Sequence, residues 1–383
     1  MLDRCAPLNP ETVALDAARG RVLAEPVTAI RDQPPFDASA MDGWATRGPA
    51  TDLAIVGESA AGKGYPHALG PDQAVRIFTG APVPAGAERV VIQEVAQRAG
   101  DRVSVPAPFA AETFIRPRGG DFRTGDTLLP AGARLDAWRI GLAAAAGRAT
   151  LSVTRRPDVV ILSTGEELAP AGAAAGPHQI FDSGGPAVAG LIESWGAATR
   201  RLAATGDDAE AIAAAVRPAG GDLIVTIGGA SVGDHDLVKP ALARLGLELA
   251  VETITVRPGK PTWFGRLADG RLVLGLPGNP ASALVCAELF LRPVLMTLQG
   301  ADPDLKLTTA KLAKPLPANG PREHWMRARL RIEDGQRLAE PAPEQDSSLI
   351  GVFAGSSALL RRTTGAPAAE AGAVVDILPL ERL

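Results

Sequence analysis

The apolar positions of this chain follow two periods, and the boundary between them lies near residue 157. From there on, short unbroken apolar runs alternate with stretches of helical spacing. VVILS (159–163), LIVTI (223–227) and the LVLGL that follows Arg271 are continuous and rich in β-branched residues, the pattern of strands buried on both faces. Between and after them come predicted helices: 180–196, capped by Asp182 or Ser183 and stopped at Gly196; Asp207 or Asp208 to Val216; Leu237 to Leu245; and a long apolar helix ending at Leu295. Residues 199–204 and 247–256 are further candidate strands. Alternating strand and helix predicts a doubly wound α/β domain, with ligands beyond the carboxyl ends of its strands.

The flanking regions read differently. Residues 51–110 carry short alternating segments (LAIVGES, AVRIFTGAPVP, RVVIQEV, DRVSVPA) broken by Gly and Pro, which predicts a small β-rich domain or barrel. Residues 301–383 repeat that pattern around WMRARLRI, SALLRRT and AVVDILPL and predict a second small β-domain with no obvious catalytic constellation. Near the start, residues 10–23 read as a helix stopped at Gly20. Residues 22–30, with Pro26, read as an edge strand or an extended crossing. Residues 135–147 read as an Ala-rich helix.

Composition adds mainly exclusions. The chain has 383 residues, a net charge of −4 and a pI of about 5.7, so it lacks the basic footprint of a nucleic-acid binder. Its two cysteines, Cys5 and Cys286, form neither a disulfide framework nor a zinc spacing, which fits a reducing cytoplasm. No apolar run is expected to reach membrane-spanning length, and no signal-peptide core opens the chain.

The candidate chemistry gathers at strand ends. Gly228 and Gly229 close the run 223–227, and Ser231, Gly233, Asp234 and Asp236 follow before the next helix. A strand, a glycine turn and a helix start can aim free N–H groups at a phosphate, and the aspartates add hard oxygen ligands suited to Mg²⁺. Glu166 and Glu167 follow the strand at 159–163, and Asp182 precedes a helix. Arg257 and Lys260 flank a Pro-Gly turn, and Pro277 to Pro280 form a loop before the long helix. Earlier in the chain, Asp42 lies between apolar neighbours, where a desolvated carboxylate needs a charge or metal partner. Thr79-Gly80 sits on a proline-braced loop, and Arg116, Arg118 and Arg123 surround Asp121. A solvated turn or ion pair would account for each feature singly; their shared placement favours an anion- and metal-handling site.

Eight motifs taken in order resemble the molybdopterin molybdenumtransferase family, which includes the C-terminal part of gephyrin. They are SAMDG (39–43), FTGAPVP (78–84), RGGDF (118–122), LSTGEEL (162–168), IFDS (180–183), GGASVGDHD (228–236), RPGKP (257–261) and GLPGNPASA (275–283). The resemblance covers nearly the whole chain. It implies four domains: a discontinuous linking domain (1–27 and 118–150), an inserted β-rich domain (28–117), the α/β molybdopterin-binding domain (151–299) and a C-terminal β-domain (300–383). It also implies a homodimer with the active cleft at the subunit interface, and other proteins of molybdenum-cofactor synthesis as candidate partners. The implied reaction is molybdate insertion into adenylylated molybdopterin with Mg²⁺-dependent release of AMP.

By that resemblance Asp42, Asp121, Glu167 and Asp236 are catalytic candidates. Thr79, Asp182, Gly228, Gly229, Ser231, Gly233, Arg257, Lys260, Pro277, Asn279, Pro280 and Ser282 are candidates for substrate binding. Asp182, Asp236 and Glu167 would hold Mg²⁺, and molybdate is a substrate. Three positions depart from the family pattern: Gly120 replaces a usual Glu, Arg257 a usual Lys, and Asp346 a glycine next to Ser347. Two other readings stand beside this one. One is a scaffold like the related part of gephyrin, which would need none of these acids. The other is the adenylyltransferase that makes the substrate, which would need ATP and no N-terminal domains.

Overall fold

The computed structural model describes residues 1–203, 208–229 and 237–380. The chain divides into two compact units, one of 12–19 with 25–152 and one of 1–11, 20–24 and 153–383.

In the first unit, a six-stranded sheet runs in the order Arg89–Ile92, Gly43–Thr46, Gln73–Ile77, Asp52–Ser59, Arg102–Ser104, Gln97–Ala99. This is the β-rich region expected from the broken alternation. Its two faces bury separate clusters, one around Trp44, Leu53 and Val103 and one around Ala45, Val75 and Ile77. Consecutive residues Trp44 and Ala45 fall on opposite sides, as the strand period requires. The helix expected at 135–147 is present as Ala137–Ala145, capped by Asp136, whose carboxylate accepts from the Arg139 N–H.

The helix expected at 10–23 is absent. Pro10–Ala14 is a strand and Leu15–Ala17 a 3₁₀ turn. Val13 and Leu15 are half-buried while Ala14 between them is exposed. That is a period of two, and Thr and Val favour it over a helix. Residues 22–30 are extended as expected, ending in the short strand Val27–Thr28.

The second unit contains the α/β sheet, in the order Ala198–Arg201, Asp158–Ser163, Leu223–Ile227, Leu272–Leu276, Trp263–Arg266, Glu248–Val251. The first four strands are parallel, and Trp263–Arg266 runs antiparallel to both of its neighbours. The double winding can be read residue by residue. Val159, Ile161, Val225 and Leu274 face one core, packed by the helices Gly184–Ser194 and Pro280–Cys286. Val160, Leu162, Ile224 and Val273 face another, packed by Ala209–Val216 and Val238–Ala243. Burial on both faces is why these strands read as unbroken apolar runs.

Two expectations need correction here. The strand read over 247–256 is two strands: Glu248–Val251 edges the α/β sheet, whereas Val256–Arg257 pairs with Glu323 and His324 in another sheet. Between them the backbone turns away, with the Ile254 N–H donating to the Lys260 carbonyl at 3.1 Å. The helical run Pro280–Leu298 does reach membrane-spanning length and apolarity, with 19 residues and a mean hydropathy of 1.6. It is 83% buried within the fold, so its apolar side chains form protein core.

The C-terminal block is a β-domain, as expected. Glu323–Glu333, Gln336–Pro341, Thr308–Leu312, Val374–Pro379 and Ala358–Arg362 pair in succession, and the last returns to pair with the first. The result is a closed barrel around Ala310, Leu312, Ala328, Leu360 and Ile377, and closure leaves these five strands no free edge.

Candidate active site

The carboxyl ends of three parallel strands open onto one cleft of about 800 Å³. Asp158–Ser163 delivers Thr164, Gly165 and Glu167 to it. Leu223–Ile227 delivers Gly228 and Gly229, and Leu272–Leu276 delivers Pro277, Gly278, Asn279 and Pro280. Asp182 and Ser183 line it from the turn before their helix. Six of the expected site residues in this domain therefore share the wall with Glu167: Asp182, Gly228, Gly229, Pro277, Asn279 and Pro280.

Gly228 and Gly229 are required by their surroundings. Both have positive φ, +96° and +57°. A Cβ on Gly228 would stand 2.5 Å from the Thr164 carbonyl oxygen, and one on Gly229 2.2 Å from Val238 Cγ2. The turn is thus a bare stretch of backbone, where an anion can approach closely. The Thr164 hydroxyl beside it is buried with no hydrogen-bond partner among the described residues, and such an atom is normally satisfied.

Asp182 is held from two sides. Its Oδ1 accepts from the Gly185 N–H at 2.8 Å, capping the helix, and its Oδ2 accepts from the Ser163 hydroxyl at 3.0 Å. Arg201 lies 3.8 Å from Oδ2. Of the two caps offered by the sequence, Asp182 provides the side-chain bond and Ser183 does not.

The last wall comes from the barrel, where no catalytic constellation was expected. Ser348 and Ile350 line the cleft. Their loop is held by Arg327, a barrel residue only 1% exposed. Arg327 donates to the carbonyls of Leu349 at 3.0 Å and Asp346 at 2.9 Å, while its backbone N–H donates to Gln345 Oε1 at 3.0 Å. Burial lowers the pKa of its guanidinium. Held this way, the Ser347 hydroxyl accepts from Asn279 Nδ2 at 2.8 Å and its carbonyl from the Ala281 N–H at 3.1 Å. Asp346, which replaces the family glycine, accepts from the Ser348 N–H at 2.9 Å and its hydroxyl at 2.6 Å.

Other expected residues are placed less directly. Arg257 and Lys260 are exposed beside Pro261, which lines the cleft, but neither forms its wall. Ser282 is 4% exposed and lies inside the helix, away from the wall. Ser231, Gly233, Asp234 and Asp236 lie outside the described residues, as does Asp207.

Within the first unit, Asp42 and Thr79 meet. Both the backbone N–H and the hydroxyl of Thr79 donate to Asp42 Oδ1, at 2.7 and 2.8 Å. These bonds, the N–H first, hold the carboxyl below its ordinary pKa, with Arg76 adding to the effect. Of the two sequence readings, a desolvated carboxylate or a turn carboxylate at the surface, the structure shows a half-buried Asp42 whose protein partner is a threonine and whose ionised form is favoured. The setting is rigid. The Ser39 hydroxyl donates to the Met41 carbonyl at 2.6 Å, and a Cβ on Gly43 would stand 2.0 Å from the Val91 carbonyl oxygen. Arg76, missed by the sequence reading, lies over Phe78 and Trp44 and donates to the Gly43 carbonyl at 3.1 Å and Gln93 Oε1 at 2.6 Å.

Asp121 is exposed, and its surroundings also differ from expectation. Arg118 pairs with Asp32 rather than with Asp121, and its backbone N–H donates to Asp37. Asp32 also accepts from the Thr124 N–H and hydroxyl, both at 2.8 Å, and these bonds bring its pKa down to about 2. The loop bearing Asp121 is therefore tied down at both ends while its own carboxylate stays exposed.

A doubly wound domain with a glycine turn, fixed carboxylates and nearby cations defines an anion-handling α/β enzyme. Family models agree over most of the chain. The MoeA N-terminal region (domain I and II) matches residues 1–147, a probable molybdopterin binding domain 160–297, and the MoeA C-terminal region (domain IV) 309–380. A molybdopterin molybdenumtransferase of Nostoc sp. is 36% identical over 342 residues, covering 85% of this chain and 78% of that protein. One of Bacillus subtilis is 33% identical over 384 residues, covering 96% and 89%. A solved molybdopterin biosynthesis MoeA protein of Pyrococcus horikoshii superposes with a TM-score of 0.84 at 27% identity, covering 100% of this chain and 97% of its own. The chain belongs to the molybdopterin molybdenumtransferase family and is an enzyme of that family.

Proposed function

We propose that this enzyme inserts molybdenum into adenylylated molybdopterin, with Mg²⁺-dependent release of AMP, in molybdenum-cofactor synthesis. Relatives bearing the transferase name support the reaction class. The observation that carries the reading is the single cleft shared by Glu167, Asp182, the Gly228–Gly229 turn and the Pro277–Pro280 loop. Its volume suits a substrate of nucleotide size.

The chain's own groups divide the work by chemistry. The bare backbone at Gly228 and Gly229 admits a phosphate oxygen, and the unpartnered Thr164 hydroxyl offers it a donor. Arg257 and Lys260 draw in molybdate, which carries two negative charges and must approach an anionic substrate. Asp42 is kept ionised by Thr79 and has its Oδ2 unoccupied by described protein groups. It orients molybdate or the attacking oxygen, with Asp121 in the same role.

The donor set fits a magnesium ion held largely by substrate and water. Among the described residues no group of three or more His, Cys, Asp or Glu could cage a metal. Magnesium commonly takes only one or two carboxylates beside substrate phosphates, and Glu167 and Asp182 supply two in the cleft. Asp236 is the third candidate ligand. When bound there, magnesium would neutralise charge on the pyrophosphate bridge and the leaving AMP.

The enzyme works as a homodimer in this proposal, the α/β cleft of one subunit being completed by the β-rich domain of its partner. The test is AMP release from adenylylated molybdopterin with and without molybdate and Mg²⁺, read beside the molybdenum content of the pterin. Molybdate-dependent AMP release with metal retained on the pterin is the expected result. No AMP release from the folded enzyme under any of these conditions would overturn it.

A further inference from the structure

The cleft wall has an apolar half that the charges above leave unused. Residues Leu168–Ala169 and Ile180–Phe181 form a two-stranded parallel ribbon, with Leu168 opposite Ile180 and Ala169 opposite Phe181. Two further backbone bonds extend it: the Ile180 N–H donates to the Glu167 carbonyl at 2.7 Å, and the Asp182 N–H to the Ala169 carbonyl at 2.9 Å. The ribbon therefore fixes the spacing of the backbones that carry Glu167 and Asp182. Ala169 itself is buried.

Ile180 and Phe181 are not buried. They are 59% and 50% exposed and both line the cleft. Leaving two large apolar side chains in water forgoes much of the stabilisation that burying them would give. Their place on a ligand cleft between two carboxylates calls for an occupant that covers them. Phe181 is the one aromatic side chain among the described residues lining the cleft. An aromatic face on a short, hydrogen-bonded ribbon suits a flat ring, which stacks at little conformational cost.

We propose that Phe181, with Ile180 beside it, is the seat for a planar nitrogen heterocycle of the substrate, while the Gly228–Gly229 turn takes its phosphate. This rests on the reading that the cleft binds adenylylated molybdopterin, a molecule with two such rings, the pterin and the adenine.

The test uses the full-length enzyme and four variants: Phe181→Ala, Phe181→Trp, Ile180→Ala and Ile180→Ser. Calorimetry measures binding of AMP, of ribose 5-phosphate (the same sugar phosphate without a base) and of a phosphate-free pterin. Phe181→Ala should weaken a ring ligand roughly tenfold or more, in line with base–aromatic stacking elsewhere. Phe181→Trp should restore it, and ribose 5-phosphate should bind unchanged. Loss confined to AMP assigns the seat to adenine; loss confined to the pterin assigns it to the pterin ring. Equal binding of every ring ligand by the wild type and Phe181→Ala would overturn the seat and leave the cleft assignment standing. Failure of the wild type to bind any of the three would overturn the cleft assignment and the seat together. Light scattering runs alongside, and dissociation of an oligomer by Phe181→Ala would make the side chain an interface residue and overturn the seat.

Discussion

Thr79 meets Asp42 with both of its donors on one carboxylate oxygen, at 2.7 Å from the backbone and 2.8 Å from the hydroxyl. The other oxygen is left unoccupied by described protein groups. A carboxylate bound this way is fixed in direction and kept ionised, which suits a group that must orient or accept and need not donate a proton.

Substitution at this pair should separate charge from position. Asp42→Asn should lower turnover by roughly a hundredfold or more, the usual scale for a lost acid–base or orienting carboxylate. Thr79→Ser keeps both donors and should be close to wild type. Thr79→Ala keeps only the N–H. Because the hydroxyl helps hold the Asp42 pKa down, its loss should move the acid limb of the kcat/KM profile to higher pH. An acid limb unmoved in Thr79→Ala would show that Asp42 does not set it.

Asp32 predicts an acid-labile loop. Its pKa is lowered from 3.8 to about 2 by the Thr124 N–H, the Thr124 hydroxyl and Arg118. Between those values the unfolded chain binds the proton and the folded one does not, so stability rises with pH across that window. The contribution is fully present above about pH 4 and lost as pH falls toward 2. Thermal melting of wild type and Asp32→Ala should differ by a constant amount above about pH 4 and converge toward pH 2. A gap that does not narrow would show that the carboxylate charge contributes nothing. The same variant should reduce activity at neutral pH, because the loop it ties down carries Asp121.

Arg327 links the barrel to the cleft. Removing its guanidinium in Arg327→Met leaves the Leu349 and Asp346 carbonyls unpaired and frees the loop that holds Asn279. With about 1.5–3 kcal/mol for a hydrogen bond from a charged group, a loss of about 2–4 kcal/mol in urea unfolding is expected. Ser347→Ala removes only the acceptor for Asn279 and should cost about 1 kcal/mol. If Arg327→Met altered neither stability nor KM, the loop would be held by other contacts.

What could be read from the sequence depended on how local its cause was. The strands at Val159, Leu223 and Leu272 were legible because burial on both faces writes an unbroken apolar run, and the rule for such sheets then brought Glu167, Asp182, Gly228 and Pro277 to one end. The strand at Pro10 was misread because Val13, Leu15 and Ala18 fit a sparse helical spacing as well as a period of two. The split of 247–256 between two sheets was invisible because it depends on Val256 and Arg257 pairing with a strand some seventy residues later. Ser348 and Ile350 reach the cleft only because Arg327 folds their loop back, and no local pattern encodes that. Asp42 and Thr79 could be named from their motifs, but their bond could not, since it joins turns 37 residues apart.

His324 offers the last prediction. It sits opposite Arg257 on one side and Arg362 on the other. It is 8% exposed, and its Nε2 has no hydrogen-bond partner among the described residues. Burial, then the charges of Arg257, Arg322 and Arg327, push its pKa down from 6.5 to about 4. The ring is thus neutral at physiological pH, and charging it would place another cation among arginines. A depressed histidine pKa means that the unfolded chain takes up the proton first. Its contribution is therefore present above about pH 6.5 and lost as pH falls toward 4. Only four histidines exist in the chain, so proton NMR of the ring resonances can resolve it: one histidine should titrate near 4, and His324→Gln should remove that resonance. The variant should also flatten the pH dependence of the melting temperature between 6.5 and 4. A His324 resonance titrating near 6.5 would mean that the ring is open to solvent and the arginine row is not closed around it.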